Sequence, residues 1–118
     1  MHVSKLNIEK LTLKNNKYRK VIYTDNRMQI VLMCLLPGEF IPMEKHHGTQ
    51  FFRVESGSAS AIVGRRKFIL HDGDILVVPQ NTKHQITQIS NEPLKLYTIY
   101  TPPQHDDDEV NNRMPLFE

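Results

Sequence analysis

At 118 residues with a formal net charge of +2, the chain fits one domain with one modest core and is too weakly basic to recruit a polyanion. Its single cysteine, Cys34, excludes an intrachain disulfide and fits a reduced, cytoplasmic protein. No apolar run approaches the roughly 18 to 20 residues of a membrane span, and the start, MHVSKLNIEKLTLKNN, lacks the apolar stretch of a secretory leader.

Taken in order, the chain opens on a basic arm, residues 1–17. Residues 1–22 carry Lys5, Lys10, Lys14, Lys17, Arg19 and Lys20 against Glu9. The stripe Lys14 to Lys20 is too sparse for a nucleic-acid-binding face. Only Ile8–Leu13 has the character of a short turn or helix. Strand-like runs then recur between turn signals. They are Tyr18–Thr24, Gln29–Leu36 before Pro37-Gly38, Gln50–Glu55 before Ser56-Gly57, and Ser58–Val63 running into Gly64-Arg65. Lys67–Leu70 precedes Asp72-Gly73, a tight-turn pair. Ile75–Val78, His84–Ser90 and Leu94–Tyr100 follow, each closed by a proline-containing stretch or turn. Residues 104–118 form an acidic tail, with Asp106, Asp107, Asp108, Glu109 and Glu118 against Arg113. The plain expectation is that arm and tail are solvated and partly frayed. The alternative is that they attract one another, within a chain or across a dimer. Short antiparallel strands without intervening helices predict an all-β sandwich or barrel, of which a jelly roll is one solution.

One segment carries chemistry. In GEFIPMEKHHGTQFFRVESG, residues Glu44, His46 and Gln50 stand at even separations. On a single strand that spacing aims all three side chains at one face. His84 adds a second imidazole from another segment. Two imidazoles and a carboxylate suit a divalent first-row ion, and are the ligand types of non-haem iron sites. Gln50 offers an amide oxygen as a fourth, neutral ligand or as a hydrogen-bonding support. A cysteine-type zinc site is excluded because Cys34 has no second thiolate. By the same parity His47 faces away, while His71, in a turn, and His105, in the tail, are expected at the surface. Phe52 and Val54 share the face of Gln50, and Ile86 and Gln88 that of His84. The expected pocket lining is thus Met33, Phe52, Ile86 and Gln88, with Met33 and Cys34 not distinguished on their strand. Arg53 alternates outward.

These two segments resemble the two motifs of the cupin superfamily. The first motif has the form G-x5-H-x-H-x(3,4)-E-x6-G, and Gly38, Glu44, His46, Gln50 and Gly57 stand at its positions. The second has the form G-x5-P-x-G-x2-H-x3-N, matched in spacing by Gly73, Pro79, Asn81, His84 and Gln88. The stretch LKLYTIYTPP is similar to the closing strand of a small single-domain cupin subgroup. The resemblance covers Val21 to Pro103. The carboxylate has moved: Glu44 replaces the first histidine of the motif and Gln50 its glutamate, so the formal charge of the set is kept. Asn81 replaces a turn glycine, a mild change because asparagine tolerates left-handed backbone angles.

The resemblance implies a single domain over 1–118, its core about 18–103, folded as an RmlC-like jelly-roll barrel, or double-stranded β-helix. It implies a divalent transition metal (iron, manganese, zinc or nickel) held by Glu44, His46, Gln50 and His84, and a small organic ligand beside it. A homodimer is implied as well. Family members include dioxygenases and sugar isomerases, and also non-catalytic ligand-binding or structural modules. No residue pair in this chain names a reaction, and fold does not choose among them.

Overall fold

The computed structural model describes residues 4–115. Residues 1–3 and 116–118, among them the acidic Glu118, lie outside the described residues. A short helix α1 (Ile8–Lys14) precedes strands β1 (Arg19–Thr24), β2 (Gln29–Leu35), β3 (Phe40–Glu44), β4 (Thr49–Ser56) and β5 (Ala59–Val63). They are followed by β6 (Arg66–Leu70), β7 (Ile75–Val78), β8 (His84–Gln88), β9 (Leu94–Thr101) and β10 (Val110–Asn111). The strands form two antiparallel layers. One sheet runs β10-β1-β2-β9-β4-β7 and the other β3-β8-β5-β6. This is the jelly-roll architecture expected from the strand pattern. Among the described residues, no helix is long and apolar enough to cross a membrane.

Period-two alternation builds the core. Along β9, Leu94, Leu96, Thr98 and Tyr100 are buried while their neighbours are not. Along β8 the buried set is His84, Ile86 and Gln88. Val31, Met33 and Leu35 point inward from β2 and meet Phe52, Val54, Ala61 and Ile86 between the layers. Burying a large aliphatic or aromatic side chain of this kind stabilises by about 1.5–3 kcal/mol. Helix α1 has only seven residues, too few to stand alone. The Asn7 side chain caps it by accepting from the Lys10 amide at 3.0 Å. It packs on the sheet through Thr12, which is fully buried.

The outward face of the six-stranded sheet is also apolar. Tyr23, Ile30, Ile99, Phe51 and Val77 stand in register as one row across five strands. Val77 is 52% exposed, as is its neighbour Ile75 at 53%. At the β1 end a groove of about 400 Å³, lined by Leu6, Ile8, Tyr23, Ile30, Tyr97 and Ile99, separates the N-terminal arm from this row.

Two expectations are corrected. Glu44 and Gln50 do not share a strand. Strand β3 ends at Glu44, residues 45–48 form a loop, and β4 begins at Thr49 in the opposite sheet. The acidic tail is solvated only in part: Asp106, Asp107 and Asp108 are exposed, but the chain on either side of them is fixed. Its β10 pairs with β1, Lys20 opposite Val110 and Arg19 opposite Asn111. The Arg19 guanidinium, almost wholly buried, reaches Asn111 Oδ1 at 2.9 Å and Glu109 Oε2 at 3.4 Å. Arg113 donates to the carbonyls of Asn16 and Cys34. The attraction of basic and acidic ends therefore operates within the chain. It involves Arg19 rather than the lysines.

Candidate metal centre

Glu44 and His84 face one another across the β3–β8 ladder. The register explains how. Ile41 pairs with Ile86, but Glu44 pairs with His84, so β3 carries one extra residue over Pro42-Met43. Without that bulge, alternation from the inward Ile41 would turn Glu44 outward. Bulges re-aim side chains in this way.

His46 lies in the loop after β3. Its carbonyl accepts a 2.7 Å hydrogen bond from the Asn81 amide. Asn81 has φ of 59°, so the asparagine in the second motif's turn does adopt the left-handed conformation. That turn also anchors the loop bearing His46. Gly48 closes the loop. A Cβ there would collide with the Thr101 carbonyl and the Pro102 ring, which leaves glycine as the residue that fits.

The ligand-type atoms of Glu44, His46 and His84 lie within 4.8 Å of one another. An ion with bonds of about 2.0–2.2 Å sets ligand atoms roughly 3–4 Å apart, so small side-chain movements bring all three onto one centre. His84 is fully buried. Its Nδ1 lies 3.0 Å from the Thr82 carbonyl and so carries the proton in the bond to it. Its Nε2 then holds a lone pair, and that atom is buried without a hydrogen-bond partner. Burial, aided by His46 and opposed by the Thr82 carbonyl and Glu44, holds the ring below its ordinary 6.5 and keeps it neutral. Burial pushes the Glu44 carboxyl up. The His46 hydrogen bond and the charges of His46, Arg19 and His84 outweigh it, and the acid stays ionised below its ordinary 4.5. His46 Nε2 and Glu44 Oε2 are 3.0 Å apart, at side-chain exposures of 15% and 16%, so solvent reaches this edge of the site.

Gln50, from the facing sheet, is 2% exposed. Its Nε2 donates to Thr98 Oγ1 at 2.9 Å, while its Oε1 is buried without a partner. Both unpaired atoms, Gln50 Oε1 and His84 Nε2, are acceptors. Buried unpaired acceptors are costly, and a bound cation is a partner that an acceptor of either kind takes. The residues therefore fit a divalent ion.

The other expected positions divide. Phe52 sets its ring edge against His84, centroids 6.2 Å apart. Met33 and Ile86 are core residues. Met33, not Cys34, is the inward residue of its strand. Gln88 is buried at the opposite end, its amide consumed by Leu35, Glu92 and Ser90. His47 and His71 are exposed, although the strand parity that excluded His47 does not apply in a loop. His105 was expected at the surface and is half-buried instead. Its ring packs on Tyr100 at 5.2 Å, and the Tyr100 ring meets His46 edge-on at 5.5 Å. Tyr100 was readable from the alternation of β9. His105 was not, because no local pattern announces a segment that folds back.

Residues 31–100 match the cupin domain family. The chain belongs to the cupin family. This cupin is 44% identical over 115 residues to a protein of Acanthamoeba polyphaga mimivirus, covering 93% of the chain and 72% of that protein. It superposes on the crystal structure of the Bacillus halodurans protein BH2720 with a TM-score of 0.91 and 34% identity, over 95% of this chain and 90% of that one. A Methanocaldococcus jannaschii RmlC-like cupin with a double-stranded β-helix shares the fold alone, with a TM-score of 0.69 and 20% identity over 75% of this chain and 84% of that one.

Proposed function

We propose that this cupin holds a divalent transition ion (iron, manganese, nickel or zinc) through Glu44, His46 and His84, with the Gln50 amide oxygen as a fourth donor, and presents it to a small organic molecule. The observation that carries this reading is the gathering of Glu44, His46 and His84 within 4.8 Å, with a buried, unpartnered acceptor at His84 Nε2 and another at Gln50 Oε1 from the facing sheet. When bound, such an ion supplies Lewis-acid or oxygen-activating chemistry. The protein's part is to keep His84 neutral through Thr82 and to hold Glu44 ionised. Phe52 excludes water behind the histidine, and the partly exposed Glu44–His46 edge admits the ligand.

The 3.0 Å contact between Glu44 and His46 favours a second reading, a metal-free ligand-binding or structural module in which these two groups satisfy one another. Elemental analysis of protein purified without chelator separates the two readings. Stoichiometric metal, lost in both Glu44→Ala and His84→Ala, supports the first. Metal content unchanged in those variants, or none in the native protein, supports the second.

A homodimer belongs to the same proposal. The row Tyr23, Ile30, Ile99, Phe51 and Val77 runs unbroken across five strands, and a second copy stacking its own row there would bury both. Light scattering that gives a monomer at micromolar concentration overturns this part.

A further inference from the structure

The segment after β9 returns to the metal centre and is built into place. Gln29, fully buried, spends its amide on that task. Its Oε1 accepts from the backbone amides of Gln104 at 3.1 Å and His105 at 2.9 Å. Its Nε2 donates to the His105 carbonyl at 2.8 Å and to Thr24 Oγ1 at 3.0 Å. Downstream, the Val21 amide donates to the Glu109 carbonyl at 3.1 Å, and β10 completes the sheet. The result is a fixed His105. Its Nδ1 lies 3.4 Å from Glu109 Oε1 and its Nε2 3.2 Å from the Tyr100 hydroxyl. Tyr100 in turn sets its ring edge-on to His46. A continuous chain, Glu109–His105–Tyr100–His46, thus runs from the C-terminal segment to a metal-site imidazole.

His46 needs such support. It sits in a loop, outside any strand ladder, and among the described residues its ring has one hydrogen-bonding contact, to Glu44. Glu44 and His84, by contrast, are held by paired strands. We propose that His105 is a positioning residue of this site. Acting through Tyr100, it holds the His46 ring in the orientation that lets its nitrogen meet the ion, so residues 104–111 are part of the site rather than a tail. This rests on the metal-binding reading above for its consequence, but the positioning itself exists without metal. Removing partners that orient a ligating histidine typically costs 10–100-fold in metal affinity.

The test titrates Co²⁺ into the full-length native protein, His105→Ala, His105→Gln and Tyr100→Phe, following the visible absorption bands. Long-range ¹⁵N–¹H spectra of the metal-free proteins report the His46 ring in parallel. His105→Ala is expected to weaken Co²⁺ about 10-fold, alter the bands and shift the His46 nitrogens. His105→Gln, whose amide can still donate to the Tyr100 oxygen, is expected to restore all three to near-native values. Tyr100→Phe keeps the ring contact but loses the hydroxyl, and is expected to fall between. A purely structural role would lower the melting temperature while leaving the bands and the His46 nitrogens native. That outcome overturns the proposal. If the native protein binds no Co²⁺, the metal reading fails, and the His46 spectra alone decide the positioning. If His105→Ala does not fold, Tyr100→Phe decides, and a native His46 signal in it overturns the proposal.

Discussion

The barrel has two ends, and each contains a buried inward-facing glutamine. Gln88 and Gln50 are 6% and 2% exposed, but their chemistry is opposite. Every polar atom of the Gln88 amide is used. It donates to the carbonyls of Leu35 and Glu92 and accepts from the amide and hydroxyl of Ser90. That end is a closed network that ties β2, β8 and the 88–92 turn together. At the other end, two periods of alternation away along β8, Gln50 leaves its oxygen unpaired and His84 its Nε2. One end spends its polar groups on the fold. The other withholds two acceptors from it, a stability cost that the proposed metal site accounts for.

The sharpest way to break this contrast is His84→Ala. Loss of a direct ligand is expected to lower metal affinity at least about 100-fold, the top of the range for merely supporting residues, read by titration and elemental analysis. Retained affinity would mean that the two ends do not differ in function. Next comes Gln88→Leu, which takes the Gln88 partner from the buried Leu35 carbonyl and unties the amide from Ser90 and Glu92. Urea unfolding should show a loss of about 3 kcal/mol, with metal content unchanged. Gly48→Ala forces a methyl group into the Thr101 carbonyl and should cost about 2 kcal/mol. It should also weaken metal binding, because the loop that moves carries His46. Gln50→Leu is the counterpart of Gln88→Leu and sharpens the comparison most. It removes an unpaired acceptor together with one hydrogen bond to Thr98 Oγ1, so stability should fall by about 1 kcal/mol, less than in Gln88→Leu. A loss equal to that of Gln88→Leu would show that the Gln50 oxygen already has a partner.

The smallest effect is in pH. His84 and His105 are both held below the ordinary imidazole value of 6.5, chiefly by burial. The unfolded chain therefore binds protons first as pH falls. The stability of the metal-free protein should be level above about 6.5 and decline as pH drops through that value toward the folded-state values. Urea midpoints across this window check the sign, and a rising midpoint would contradict it. His105→Gln should flatten the decline.

Most of the fold was legible because strand alternation and turn residues are local. Eight expected strands correspond to β1, β2 and β4–β9. The missed strands, β3 and β10, lack that signal. Pro42 and a bulge interrupt the alternation of β3, and β10 is two residues long. The site residues were legible as residue types at motif spacing, but Glu44, His46 and Gln50 do not share one strand. Glu44 faces inward because of a bulge, His46 because Asn81 and Gly48 shape its loop, and Gln50 because the opposite sheet carries it there.

The sequence by itself determined an all-β chain of short antiparallel strands, a sandwich or barrel, and the identity of the groups available to an ion. Those properties depend on neighbours in the chain, where periodicity and side-chain chemistry act. Only the tertiary structure decided which of the buried amides is saturated and which is not, that His84 presents Nε2 rather than Nδ1, and that the acidic segment returns through Gln29 and Arg19 to place His105 beside Tyr100. The return of the acidic segment joins residues dozens of positions apart. The His84 proton and most of the Gln88 network are set by near neighbours, Thr82, Ser90 and Glu92, whose turns only the folded chain shapes.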